Sequence, residues 1–211
     1  MSNASSLSPE LQALARSMAR GLQQPTDVPA DADLGDPLRQ PPALKPSAPA
    51  LLAQSHAAPQ ARRDAQALYR RCLVAYRQRV QQASDVDDAG LAAAYFVLAN
   101  LDVLHDLRPG RGELAQVERQ MRHWLGASWR RAPLADRQSG FEQLAVLGTL
   151  MTESAFEARR QCATAPAALI ASTAALAHVQ QAARAYLVQF GLSPQRLRLS
   201  DTGLVLEAIA A

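Results

Sequence analysis

From Leu134 to Cys162 the chain reads LADRQSGFEQLAVLGTLMTESAFEARRQC, its longest uninterrupted helical pattern, and a helix of that length needs partners laid around it. At 3.6 residues per turn, Leu144, Leu147, Gly148, Met151, Ala155, Ala158 and Cys162 fall on one side, with Phe141 at the margin. This side is a core face. Gly140, Gly148, Ala155 and Ala158 carry almost no side chain, so a neighbouring helix can approach closely where Leu144, Leu147 and Met151 fill the gaps. The opposite side aligns Gln138, Glu142, Thr149, Glu153 and Arg160, with Val146 and Phe156 near the same band.

That stripe admits two readings. One is a solvated or tail-contacting face, and the other is a polar groove built from Gln138, Glu142, Thr149 and Glu153. Glu142 and Glu153 lie roughly 16 Å apart along the axis at 1.5 Å per residue. A paired general acid and base needs about 5 to 9.5 Å. An enzyme using these carboxylates therefore requires groups from other helices.

Apolar residues make up 48% of the chain but aromatics only 5%, and Ala and Leu dominate the remainder. Such a balance favours helices packed through small residues over a β-rich core. The expected fold is all-α, a single bundle of about five helices with a short β-like or irregular C-terminal tail. The first helix is expected over 60–83, with Leu68, Tyr69, Cys72, Tyr76 and Val80 on its apolar face. The second covers 86–107 and is apolar nearly all round, with Asn100 and Asp102 inside it in structural roles. Ser84, Asp85 and Asp87 break and recap the chain before it. Arg108-Pro109-Gly110-Arg111-Gly112 is a turn without the spacing of a phosphate-cradling loop. A third helix, over 113–129, buries Leu114, Val117, Met121, Trp124 and Leu125. The helix from Leu134 follows, and the fifth covers 167–190, packing through Leu169, Thr173, Leu176, Val179, Ala183, Tyr186 and Leu187. Leu197 and Leu199 then change the period to two before the turn signal Asp201-Thr202-Gly203, so either a two-stranded tail or a closing helical turn at 204–209 follows.

Residues 1–59 differ in kind. Nine of the thirteen prolines fall at 9, 25, 29, 37, 41, 42, 46, 49 and 59, and a short amphipathic helix is expected over 8–22 with Leu11, Leu14, Ala15 and Met18 on one face. The rest reads as an extended or flexible segment, or as one that wraps along a helical domain at 60–211 and buries Leu34, Leu38, Leu44 and Leu51. No signal-peptide pattern opens the chain. Ser2-Asn3-Ala4 resembles the scar of a removed tag, which leaves open a native leader.

The net charge of +3 is carried almost wholly by arginine, Lys45 being the only lysine. The arginines are scattered and lack interleaved aromatics, so the expected partner is protein and not nucleic acid. No apolar run is long enough to cross a membrane. No cofactor or metal motif appears: His56, His105, His123 and His178 lack the ligand spacing of a zinc site, and there is neither HExxH nor CxxC. Serines form no G-x-S-x-G elbow. Cys72 and Cys162 both fall on apolar faces, which opposes a nucleophilic role and leaves either buried free thiols or a disulfide.

Tyr76 and the AAAYFVLAN run, then GELAQVERQMRHWL, then ADRQSGFEQLAVLGTLMTES, then ARAYLVQFGLSPQRLRLSDTGLVL occur in that order. This succession, over about 60–206, resembles an uncharacterised bacterial family classed as a domain of unknown function. The resemblance implies exported helical proteins, hence a periplasmic or secreted location, with a cytoplasmic one left open, and it carries no catalytic residue. The function expected is a non-enzymatic binding or adaptor protein of the cell envelope. Alternatives are a secreted effector or secretion accessory protein with an N-terminal docking segment, and an enzyme with a polar site at Glu142 and Glu153.

Overall fold

The structure, a computed structural model, describes residues 9–23, 38–82, 85–107, 109–164 and 169–207. Among them are seven helices where about five were expected, together with two small antiparallel ladders. The central helix, α6, spans Leu134–Thr164. Against it lie α3 (Pro59–Arg79), α4 (Ala89–His105) and α7 (Leu169–Gln189). α5 (Arg111–Arg131) packs on the far side of α4, and α1 (Pro9–Gln23) packs on α5. The short α2 (Ala48–Ala53) bridges α3 and α6.

The closest approach is between α4 and α6. A Cβ on Gly148 would sit 2.9 Å from Tyr95 Cδ1 and 3.1 Å from Phe96 Cα, so the missing side chain lets the two backbones meet. Small α4 residues, Ala92, Ala93 and Ala94, are buried with it. α4 is apolar all round because α5, α6 and α7 cover it on separate sides. Phe96 packs against Phe190, and Tyr76 of α3 packs against both Tyr95 and Phe141.

α4 begins at Ala89, later than the residue 86 expected, because its cap is Asp88. The Asp88 carboxylate accepts from the Gly90 and Leu91 amides at 3.0 and 3.1 Å. Asp87 and Asp88 form β2, paired with β1 (Arg39–Gln40), a ladder without a sequence signal. On α3, Leu68 is exposed instead of buried. On α7, Ala183 and Leu187 are buried and Val179 and Tyr186 partly so, whereas Thr173 is exposed and the Leu169 side chain lies outside the description.

The N-terminal third contributes to the core. Leu11, Leu14 and Met18 of α1 are buried, and Gly21 presses on Trp124 of α5. α1 lies where a short amphipathic helix was expected, over 8–22, and its apolar stripe covers α5. Leu38 is buried as a wrapping segment requires, but Leu44 and Leu51 are exposed, and Leu34 lies outside the described residues.

At the other end, β3 (Leu197–Ser200) pairs with β4 (Gly203–Leu206), so the chain continues as strand where a helical turn was the alternative. The hairpin is tied to α5 by one side chain. Gln120 accepts from the Leu204 amide at 2.7 Å and donates to the Leu204 carbonyl at 3.2 Å. Gly203, at φ +111°, supplies the turn and leaves room for Gln120.

Candidate functional site

The polar stripe on α6 divides into two parts with different surroundings. Gln138 donates to the Pro41 carbonyl at 3.3 Å. Glu142 is 0% exposed, and its Oε2 accepts from the Ser47 and Ala48 amides at 2.8 and 2.9 Å. These two residues hold down the segment that leads into α2. Burial raises the Glu142 carboxyl above its ordinary pKa, while the two amide donors and the nearby Arg77 oppose the rise.

Thr149 and Glu153, further along α6, floor an open groove of about 560 Å³ between α3 and α7. Leu68, Arg71, Cys72, Ala75 and Arg79 form the α3 wall, and Ala175 and Val179 the α7 wall. Its floor runs from Thr149 to Gln161, about 18 Å at 1.5 Å per residue. Glu153 pairs with Arg79 across the rim, and Glu157 with Arg160 at 2.8 Å. Arg71 has no carboxylate partner among the described residues.

The stripe thus divides: Gln138 and Glu142 contact the N-terminal segment, as a tail-contacting face would, and Thr149 and Glu153 line the groove. α2 and the chain before it cover the first half, and the second half opens into the groove. Glu142 is not among the residues that line that groove, whereas Glu153 is.

Cys72 lies buried in the groove wall, and Cys162 is half-buried. Both are free thiols, so the bridge considered between them is not formed. Gln161 lines the groove at that end of α6, and Cys162 points roughly 100° away from it round the helix. Burial first, and the Glu153 charge second, raise the Cys72 thiol above its ordinary value, with Arg71 opposing. A protonated, buried thiol is a poor nucleophile and serves here as apolar wall.

A second polar cluster lies under β1 and β2 and carries architecture. Asp87 receives a two-pronged contact from Arg77, Nε at 3.0 Å and Nη2 at 2.7 Å. Asp88 is paired with the buried Arg122, which also holds Glu118, and with Arg39. The patterning of α5 does not mark Arg122 as buried, because a charged residue on an apolar flank is recognisable only once its partner is known. Asp102 ties α4 to Arg159 of α6 at 3.0 Å, and Asn100 donates to the Phe96 carbonyl.

Of the histidines, His56 meets the Tyr69 hydroxyl at 3.4 Å, and His105 and His178 are exposed. Among the described residues no group of three or more His, Cys, Asp and Glu is placed to hold a metal. Nor is any described helix long and apolar enough to cross a membrane.

Comparison with curated proteins and with solved structures returns no match. A family model does match, over residues 1–207, so the shared pattern includes the N-terminal third as well as the 60–206 stretch. The chain belongs to the Family of unknown function (DUF6683).

Proposed function

We propose that this is a non-enzymatic binding protein of the bacterial cell envelope, whose groove between α3, α6 and α7 seats an amphipathic helix from a partner protein. The observation that carries this reading is the groove itself. Walls from α3 and α7 stand on an α6 floor about 18 Å long, enough for about three helical turns. Leu68, Ala75, Leu150, Ala158 and Val179 offer apolar contact for residues spaced i, i+4 and i+7. Arg71 on the rim, without a carboxylate partner among the described residues, suits an acidic side chain on the incoming helix, whereas the other rim charges already have partners. The envelope assignment rests on the sequence resemblance over 60–206.

Ala75→Trp fills the groove from the α3 wall. Wild-type protein and this variant, used as baits on an envelope fraction, are expected to differ by one partner. That partner is lost from the variant while its melting temperature stays within about 2 °C of wild type. Equal retention on both baits contradicts the reading.

A further inference from the structure

The loop between β1 and α2, residues 41–47, is held at both ends and open in the middle. Upstream, the Arg39↔Asp88 and Gln40↔Asp87 pairs fix its entry, and Gln138 donates to the Pro41 carbonyl. Downstream, the buried Glu142 carboxylate takes the Ser47 and Ala48 amides, and Ala48 is itself buried. Pro41, Pro42 and Pro46 narrow the backbone choices between these anchors. At the apex Leu44 is 102% exposed, the most exposed large apolar side chain described, and Lys45 stands beside it with no ion pair among the described residues. A lone exposed leucine on a surface helix calls for no explanation. A leucine on a doubly anchored, proline-braced loop is different, because anchors and prolines reduce the backbone entropy left to lose when something binds.

We propose that loop 41–47 is a preorganised contact element that inserts Leu44 into a single-side-chain apolar socket on a second protein, with Lys45 meeting a carboxylate at the socket's edge. A lipid surface is the weaker match, since stable attachment there needs a broad apolar face or several basic residues, and this apex offers one of each. The proposal assigns Gln138 and Glu142 a positioning role: they hold the loop and do not touch the partner.

The test uses the full chain with a photoreactive benzophenone amino acid at position 44, and at the exposed Phe156 as control. Adducts are mapped by mass spectrometry, and the captured protein is then titrated against purified variants. The proposal expects one protein adduct from position 44, absent from position 156, at a site containing apolar residues and an Asp or Glu. Affinity for that protein should fall at least tenfold in Leu44→Ala and in Lys45→Glu. It should fall severalfold in Glu142→Gln, where the apex residues are intact, and stay unchanged in Ala75→Trp. No adduct, adducts spread over many proteins, or variants that bind like wild type overturn the proposal. So does Leu44-dependent binding to vesicles of anionic phospholipid, which would assign the loop to a membrane. Loss of this partner in Ala75→Trp, with Leu44→Ala unaffected, would return it to the groove.

Discussion

At the residue scale, three buried acids, Asp87, Asp88 and Glu142, decide how the chain is tied together. Asp88 caps α4 and pairs with Arg122 from one position, so Asp88→Ala removes a helix cap and leaves a buried guanidinium with Glu118 as its remaining carboxylate. The expected cost is about 3 kcal/mol in urea denaturation, and a loss under about 1 kcal/mol would mean that Glu118 alone compensates Arg122. Glu142 and Asp87 are both raised above their ordinary values by burial. A carboxyl raised in this way holds its proton more tightly folded than unfolded. Its contribution to stability therefore grows as pH falls from above the raised value towards the ordinary carboxylate range. Between about pH 7 and about pH 5, wild type should gain more stability than Glu142→Gln, as read from denaturation midpoints. An identical pH response in the two proteins would show that Glu142 is solvated.

At the element scale, the helices were largely legible and their surroundings were not. Leu144, Leu147, Met151 and Ala155 show the core face of α6 through period alone, and Gly148 shows that a neighbour comes close. Period cannot reveal that Glu142 and Thr149, on the polar side, are also buried, because that depends on which distant segment lies over them. For Glu142 the cover is α2, more than ninety positions away in sequence. The β1 and β2 ladder was invisible for a related reason: two residues on each side are too few to show a period. The C-terminal hairpin had a readable turn, but its anchor, Gln120, lies in the middle of α5 and looks like any solvated glutamine. Gln120→Ala should lower stability by about 1 to 2 kcal/mol, two hydrogen bonds being lost. Amide exchange should quicken over 197–206 and not in α4 or α6, whereas uniform protection would show that the hairpin is held by its apolar contacts alone.

At the scale of the whole molecule, α1 separates a bundle with a trailing tail from a fold that includes its N-terminal third. Leu14 is buried between α1 and α5, so Leu14→Ala should cost about 2 to 5 kcal/mol and leave a single unfolding transition. A dispensable tail would give less than about 0.5 kcal/mol. With α1 and α2 in place, α2 and its loop cover the first half of the α6 polar stripe, and α6 residues between Thr149 and Gln161 line the groove. The central claim, that this groove seats a partner's helix with Arg71 facing an acidic residue, is tested most directly by a charge-swap cycle on the captured partner. Arg71→Glu should weaken the complex by about fivefold or more, and replacing the facing carboxylate on the partner by Arg should restore most of that loss. Zero coupling at every carboxylate of the partner's helix would contradict it.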